Sequence, residues 1–462
     1  MVPQAEVETR MAARAATGSE TGAGTRMGTR TGTTRRRTGA SEEAEARDLA
    51  MAATRPYRAE VVGWYVGVAG LALGHTLVAQ LILLICAVYR LLADPGSRRV
   101  SLTPSTTALL VLAAWMLGTA PFAWKPANAF GSTLGAMLTG WLVLGATRKT
   151  ANSGEGARLA TVFLAAACAG AIYALVGFGM FVLKSGGVPR AELPFVGCNT
   201  AGTIMAIATI IAIGRLIRAV RTLEKLACGA CAALTLAALE ATQSRGALVG
   251  FVVGLAVLLV AQVYSSRGRR VARAILVLTV LAALLGAFSL AYPPVRARYA
   301  TILNPSANRD RMDIWRTALA IMSDHPAVGV GINNFGEAYM AYPHASSPVQ
   351  EQPFAHNVFL EFGAATGIPG VLLVAWVIAA GVASGVRACR LGILPGVTPS
   401  ALAVFVALVV HLQFDLSIYS IDMLPLFFVP YGVLAWTAER ARGRDGVLRS
   451  RGVRAAPEPG RD

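Results

Sequence analysis

Charged residues are scarce in this chain of 462 residues. Asp, Glu, Lys and Arg make up 15% of it, whereas soluble domains carry about 25%. Hydrophobic residues reach 55%, and the mean hydropathy is +0.55. So many apolar residues would supply about twelve membrane spans of roughly 20 residues each. The composition therefore excludes an ordinary soluble protein and predicts an all-α polytopic integral membrane protein.

Acidic residues are also few, since 25 Asp and Glu stand against 42 Lys and Arg and leave a formal net charge of +17. In a soluble protein this excess would suggest binding to nucleic acid, but in a membrane protein it usually marks cytoplasmic loops. With the N-terminus placed inside and the loops counted alternately, 33 of the 42 basic residues fall on the inner side. We therefore predict both termini in the cytoplasm and no nucleic-acid partner.

Cysteine is scarce, and a phosphate-binding loop of the GxxxxGKS/T type is absent from the sequence. The six cysteines lie in or beside apolar stretches, where a thiol behaves as a small hydrophobe. The lone Cys228–Cys231 pair lacks a second pair of zinc ligands, so we predict no disulfide, no metal site and no cofactor. The missing loop argues against ATP-driven transport. A lipid or oligosaccharide transporter is the weaker alternative from another functional class, because the span interiors contain few charges.

Polar ends flank the apolar part of the chain. Residues 1–60, rich in Thr, Gly and Arg, and the Arg-rich residues 439–462 contain too little apolar surface to offset the entropy of ordering, and we predict that both are disordered. Residues 61–438 contain eleven charge-free windows. The first window has 29 residues with an interruption at Gly74-His75, which favours a hairpin of two short helices. We therefore predict about twelve membrane helices, with eleven as the alternative.

One external segment, residues 293–355, is much longer than the others. Long loops in compact proteins are usually functional or disordered. Apolar residues recur in this loop at three- and four-residue spacing: Ile314, Trp315, Ala318, Leu319 and Met322. The spacing predicts an amphipathic helix, and Pro326 with the glycines after it predicts a structural bend. The helix either anchors the loop at the membrane surface or covers an external site to which it delivers Arg311.

Three motifs follow one another in the second half of the chain. They are Thr242-Gln-Ser-Arg-Gly-Ala247; Arg311-Met-Asp-Ile-Trp315, leading through Asp324-His-Pro-Ala-Val-Gly-Val-Gly331 to Asn334-Phe335; and His356-Asn357, followed by Leu360-Glu361, Thr366-Gly367 and Pro369-Gly370. In these motifs the sequence resembles the O-antigen ligase and O-antigen polymerase superfamily of bacterial membrane glycosyltransferases. The motifs cover residues 242–386, and the span pattern extends the resemblance over most of the chain. They do not separate ligases from polymerases.

The resemblance implies a GT-C-like membrane fold and a metal-independent, inverting transfer of a glycan. The implied donor is a glycan carried on undecaprenyl diphosphate, and the implied acceptor is a hydroxyl of a glycan or lipid. Transfer would take place at the outer face of the bacterial cytoplasmic membrane, during synthesis of an envelope polysaccharide such as lipopolysaccharide. An O-antigen ligase is the first expectation, and a repeat-unit polymerase of the same superfamily is the alternative.

A departing diphosphate needs cationic partners, and the outer side of the membrane has few of them. The planar guanidinium of arginine fits phosphate oxygens with two parallel hydrogen bonds. Arg245 stands at the start of an apolar helix, where free backbone N–H groups also attract anions. We predict that Arg245 and Arg311 bind the diphosphate and take part in catalysis. Arg309 and Arg316 are the competitors of Arg311 for this role.

His356 is the candidate for activating the acceptor hydroxyl, because histidine titrates near neutrality as a general base requires. Whether it removes the proton or only orients the acceptor stays open, and Asn357 beside it is a candidate for binding substrate. A direct pair of His356 with Glu361 is doubtful, since five residues correspond to about 140° around a helix. His411 and Asp415 are four residues apart, which predicts a buried polar pair near the outer end of a span.

Overall fold

The structure is a computed structural model that describes residues 62–93, 102–152, 156–185, 189–264, 296–297, 300–301, 309–343, 352–415 and 423–454. Apart from one isolated bridge between Leu193 and Val196, the regular structure in these ranges is helical. The prediction of an all-α protein is therefore confirmed for this part of the chain. The predicted N-terminal tail, residues 1–60, lies outside the described residues.

The helices are numbered in chain order, and most of them are long. They are α1 Val62–Ala72, α2 Thr76–Ala93, α3 Pro104–Thr119, α4 Pro126–Asn152, α5 Gly156–Ser185, α6 Cys198–Arg218, α7 Thr222–Thr242, α8 Arg245–Tyr264, α9 Arg309–Asp324, α10 Phe335–Ala341, α11 Val358–Arg390, α12 Thr398–His411 and α13 Met423–Arg454.

Seven stretches of the described residues are long and apolar enough to cross a membrane. They lie in the helices α3 to α8 and in α11, and shorter apolar helices occur at α1, within α2 and at α12. The chain is thus an integral membrane protein. The count of twelve spans and the GT-C-like arrangement stay predictions, because the predicted span Ala274–Val295 lies outside the described residues.

The first apolar window folds as the predicted hairpin of two short helices, α1 and α2. Gly74 turns the chain between them with a φ of +84°, a backbone conformation that glycine adopts without a steric penalty. A β-carbon at this position would lie 2.9 Å from the Val196 side chain and 3.0 Å from Leu193. Both the turn and the close packing therefore require glycine at residue 74.

Helix α8 packs closely against α12 through three glycines spaced four residues apart: Gly246, Gly250 and Gly254. A β-carbon at Gly254 would lie 2.7 Å from that of Ala407, and one at Gly250 would meet the Ala407 carbonyl oxygen. Residues four apart share one helix face, and small residues at this spacing let membrane helices approach closely. This contact brings the first residues of α8 against the end of α12.

The predicted amphipathic helix of the external loop is α9, and its apolar face packs on protein. Ile314, Ala318 and Ile321 are buried together with Val330 and Ala364. An amphipathic helix that only anchors a loop at the membrane surface would leave this face for lipid. The packing therefore favours the alternative in which α9 covers a site formed by the membrane helices.

The chain after α9 enters the helical bundle beside α11. The N–H of Val330 donates to the Ala364 carbonyl oxygen at 2.9 Å, and the N–H of Ile368 donates to the Pro326 carbonyl oxygen at 2.8 Å. Ala364 lies six residues into α11, which corresponds to about 9 Å along the helix axis. The predicted bend is thus a docked loop, residues 326–331, that fixes α9 to α11.

A break inside α11 makes room for this docked loop. Gly367 adopts a φ of +75°, and a β-carbon there would lie 2.6 Å from the backbone of Ala327. The indole N–H of Trp115, from α3, donates to the carbonyl oxygen of Thr366 at 2.9 Å, beside the break. A neighbouring helix therefore satisfies a backbone group that the broken helix leaves free.

The structure differs from the prediction at residues 439–454, where the sequence predicts a disordered tail. Helix α13 continues from Met423 to Arg454. Ala441 is fully buried beside Ala388 and Ile393, and the guanidinium of Arg442 donates to the Leu102 carbonyl oxygen. These contacts stabilise the first residues of the segment, which the polar composition does not indicate.

Candidate functional site

The candidate site lies at the end of the bundle where α7 ends and α8, α9 and α11 begin. Helix α7 ends at Thr242, Gln243 turns the chain with a φ of +52°, and α8 begins at Arg245. The prediction that Arg245 stands at a helix start is confirmed. Its guanidinium donates to the side-chain hydroxyl of Thr301 at 3.1 Å, so it points toward the external segment.

Arg311, in the first turn of α9, is half-buried at the same end of the bundle. Burial lowers the pKa of its guanidinium, the positive charges of Arg245 and Arg190 act in the same direction, and the carboxylate of Asp415 opposes them. The two predicted arginines therefore lie close enough for their charges to repel each other. A bound anion would relieve this repulsion.

The competitors of Arg311 occupy different surroundings. Arg309 is exposed at the first residue of α9. The side chain of Arg316 is 68% exposed and lies 2.8 Å from the carboxylate of Asp313 on its own helix. A substrate role for these two arginines stays a prediction. Arg311 is more buried than either of them, and the charges of Asp415, Arg245 and Arg190 act on it.

His356 stands immediately before α11 in a left-handed backbone conformation with a φ of +53°, an uncommon conformation for residues other than glycine, although histidine is among those enriched there. Two contacts hold the backbone on either side of it. The carboxylate of Glu361 accepts from the N–H of Ala355, and the N–H of Val358 donates to the Leu412 carbonyl oxygen at 2.9 Å. The orientation of His356 is therefore set by α11 and α12 together.

Asn357 caps α11, and its side-chain oxygen accepts from the N–H groups of Phe359 at 3.0 Å and Leu360 at 3.2 Å. A cap of this kind satisfies backbone donors that the first helical turn leaves free. The predicted substrate contact of Asn357 stays a prediction. Its amide N–H₂ group donates to the Gln413 carbonyl oxygen at 3.5 Å, which leaves one N–H of the amide for a substrate.

Asp415 lies between two imidazole rings. One carboxylate oxygen is 3.8 Å from Nδ1 of His356, and the other is 3.3 Å from Nε2 of His411. Asp415 and His411 are both buried, whereas the His356 side chain is 21% exposed. The predicted His411–Asp415 pair is confirmed, and the structure adds His356 to it.

The charges of this cluster affect one another. Burial lowers the pKa of His356 below its ordinary value, the positive charge of Arg311 lowers it further, and Asp415 opposes both. Burial alone would raise the pKa of Asp415, but the contact with His411 and the charges of His411, His356 and Arg311 bring it below its ordinary value. At neutral pH the site therefore contains a neutral imidazole beside a carboxylate.

A comparison with protein families identifies the middle of the chain. Residues 230–375 match the family model described as O-Antigen ligase. This segment is an O-antigen ligase domain. The resemblance found in the sequence motifs is thereby confirmed for these residues. No curated protein was found to match the chain.

The O-antigen ligase domain begins within α7 and ends within α11, so it contains Arg245, Arg311 and His356. Asp415 and His411 lie beyond the end of the domain, although they contact it. Helix α12 and the turn that follows it therefore complete the charged cluster.

Arg190 also lies outside the O-antigen ligase domain, and sequence reasoning did not select it as a site residue. Its guanidinium donates to the Thr242 carbonyl oxygen at 3.0 Å and to the side-chain oxygen of Asn199 at 2.6 Å. These bonds place it at the end of α7, and its charge acts on Arg311 as that of Arg245 does. The signal that could have identified it is its place among the few arginines on the predicted outer side of a basic protein.

Within the described ranges, no group of three or more His, Cys, Asp or Glu side chains is arranged to hold a metal ion. Cys168 and Cys231 lie in different helices with their sulfur atoms 3.1 Å apart, away from the charged cluster. The charged cluster itself consists of arginines, imidazoles and a carboxylate.

Proposed function

We propose that the protein transfers a glycan from an undecaprenyl diphosphate carrier to an acceptor hydroxyl at the outer face of the bacterial cytoplasmic membrane. The observation that carries this proposal is a charged cluster at one end of the bundle, in which Arg311 and His356 act on the carboxylate of Asp415 and Arg245 acts on Arg311. Arg245, Arg311 and His356 all lie within the O-antigen ligase domain. Two cationic groups and one titratable base are the groups that such a transfer needs.

Arg245 and Arg311 hold the diphosphate of the donor in this proposal. When the bond between the anomeric carbon and the diphosphate oxygen breaks, the oxygen keeps the electron pair and its negative charge grows. Fixed guanidinium groups stabilise that charge without having to reorganise, and the mutual repulsion of the arginines falls when the anion binds. The same pair would bind the carrier before transfer and stabilise it as the leaving group.

His356 accepts the proton of the acceptor hydroxyl while the hydroxyl oxygen attacks the anomeric carbon. A neutral imidazole is required for this step, and the lowered pKa of His356 keeps the ring neutral at pH 7. The imidazolium that forms lies beside the carboxylate of Asp415, which stabilises it. Loss of the proton to water at the membrane surface restores the base for the next cycle.

The outer face is proposed from the distribution of basic residues. With 33 of 42 Lys and Arg on one side, the positive-inside rule places the opposite side, with the charged cluster, outside the cell. Carrier-linked glycans, acceptor hydroxyls and membrane lipids are the expected partners there.

Disruption of the coding sequence in the producing bacterium, followed by analysis of carrier-linked glycans, tests the proposal. Loss of a ligase leaves long chains on the carrier, whereas loss of a repeat-unit polymerase leaves single repeats. Wild-type protein should restore transfer, and the variant His356→Ala, present in the membrane at the same level, should not. Unchanged carrier-linked glycans after disruption would refute a transferase of either kind.

A further inference from the structure

His411 is the most deeply buried charged or titratable member of the cluster. It is the last residue of α12, with 1% of its surface exposed. Its ring is shielded from solvent, and among the described residues neither ring nitrogen has a hydrogen-bond partner of good geometry. The carboxylate of Asp415, 3.3 Å from Nε2, is within ion-pair distance.

The backbone after α12 keeps His411 and Asp415 together. The N–H of Phe414 donates to the His411 carbonyl oxygen at 2.9 Å, and the N–H of Gln413 donates to that of Val410 at 3.1 Å. The chain therefore continues for nearly one more turn, which places Asp415 above the His411 ring. The bond from Val358 to Leu412 joins the same turn to the start of α11, one residue after Asn357.

Helix α8 fixes the other side of the His411 ring. A β-carbon at Gly246 would lie 3.2 Å from Nδ1 of His411 and 3.2 Å from the β-carbon of Phe414. The ring is thus confined between the glycine face of α8 and the carboxylate of Asp415. Because Gly246 directly follows Arg245, the position of His411 is tied to the arginine that is proposed to bind diphosphate.

We propose that His411 is a positioning residue that holds one oxygen of Asp415, so that the other oxygen faces His356. A carboxylate without such a partner can rotate about its bond to the β-carbon and lose its alignment with His356. His411 thereby acts on the base through Asp415 and makes no contact with substrate. This inference rests on the proposed role of His356 and adds a residue beyond the O-antigen ligase domain.

Other charged groups surround the cluster, and a titration of His356 must take them into account. Arg311 on α9 acts on His356, and Arg245 at the start of α8 and Arg190 before α6 act on Arg311. Glu361 on α11 binds the N–H of Ala355, beside His356. Because none of them is altered in the variants below, their influence on His356 is the same throughout the comparison.

Three variants test the proposal in membranes from the disrupted strain, with the carrier-linked glycan of those cells as donor. His411→Leu removes the nitrogen that faces Asp415 at similar volume, and we expect the transfer rate to fall at least tenfold. His411→Gln keeps an N–H donor at the position of Nε2, and we expect at least a third of the rate to remain. In an Asp415→Asn background, His411→Leu should lower the rate less than twofold further, because residues that act through one another are not additive.

A second readout does not depend on the reaction. The chain contains five histidines, so nuclear magnetic resonance of the full chain with ¹⁵N-labelled histidine can follow each ring. Loss of alignment with Asp415 removes a neighbour that raises the pKa of His356, and we expect its midpoint to fall by about half a pH unit in His411→Leu. The titration midpoint of His356 in His411→Gln should equal that in the wild type. The signals of the other histidine rings report whether each variant folds.

The two proposals fail in different ways. If His411→Leu transfers glycan at the wild-type rate and leaves the His356 midpoint unchanged, the positioning role is refuted while the proposed function stands. If instead His356→Ala retains full transfer, the proposed function of His356 is refuted, whatever the coupling between the rings. Equal losses in His411→Leu and His411→Gln, with an unchanged midpoint in both, would show a packing effect and would also overturn the positioning role.

Discussion

The carboxylate of Asp415 lies 3.8 Å from the imidazole of His356, although the two residues are 59 positions apart and flank the consecutive helices α11 and α12. His356 precedes α11, and Asp415 follows α12. The pairing forms because the N–H of Val358 and the carbonyl of Leu412 join the ends of these helices. One backbone hydrogen bond thus supports the contact between the proposed base and its carboxylate.

Replacing Asp415 with Asn should slow transfer and lower the pKa of His356. The negative charge that stabilises the imidazolium is lost, and we expect a loss on the order of tenfold or more in rate, from the value of a hydrogen bond to a charged group. The effect is measured as the ratio of the transfer rates of the variant and the wild type in isolated membranes. Asp324→Asn is the matched control, because the carboxylate of Asp324 binds the Tyr342 hydroxyl at the surface, and it should stay within twofold of the wild type.

The pH profile of transfer should show an acid limb below the ordinary histidine pKa of about 6.5. Because the pKa of His356 is lowered, its neutral form persists as the pH falls and is lost only below that value. Asp415→Asn should shift the limb to still lower pH. His356→Gln should lose at least a hundredfold, as expected for a general base. A Gln variant with near wild-type rate and no acid limb would show that His356 orients the acceptor and does not deprotonate it.

Arg311→Ala should abolish transfer while the protein remains in the membrane, whereas Arg316→Ala should lower the rate about threefold or less. The reason is that the charges of Asp415, Arg245 and Arg190 act on the half-buried Arg311, whereas Arg316 is paired with Asp313 at the surface. Arg245→Lys should rescue poorly, since a point charge does not reproduce two parallel bonds to phosphate. Full activity of Arg245→Lys would contradict bidentate binding.

Gly250→Ala should destabilise the protein by about 1 to 3 kcal/mol, the usual cost of overpacking, because a β-carbon there meets the Ala407 carbonyl oxygen. Gly229→Ala is the control, since no atom lies within 4 Å of its added β-carbon, and it should leave stability equal or raise it by up to about 1 kcal/mol. Thermal unfolding in detergent measures both. Equal stability of the two variants would show that α8 and α12 do not need the close approach.

The orientation of the chain can be tested with cysteine labelling from outside the cell. On the distribution of basic residues, a cysteine near Ala345 should react with an impermeant reagent, and cysteines near Gly268 and Gly443 should react only after the membrane is opened. The six native cysteines are first replaced, and the transfer rate of that background is checked. Labelling of a cysteine near Gly268 in intact cells would show that the proposed topology is wrong.

The sequence alone predicts those features of the site that depend on neighbouring residues along the chain. His411 and Asp415 are four residues apart, so their pairing follows from the geometry of one helical turn, and Arg245 follows from a helix boundary. The contact between Asp415 and His356 was not predicted, because contact between separate helices is set by packing and not by spacing. The helical content of residues 439–454 was also missed, since the buried Ala441 and the Arg442–Leu102 bond depend on tertiary structure.

The docked loop at residues 326–331 has a consequence for biogenesis. It binds carbonyl and N–H groups of α11 at Ala364 and Ile368, which are synthesised after α9 and after the loop itself. In the proposed orientation, Arg311 reaches the outer side before α11, the helix on which α9 docks, has entered the membrane. A nascent chain that ends before α11 therefore lacks its docking partner, and the diphosphate site is assembled only during the last steps of membrane insertion.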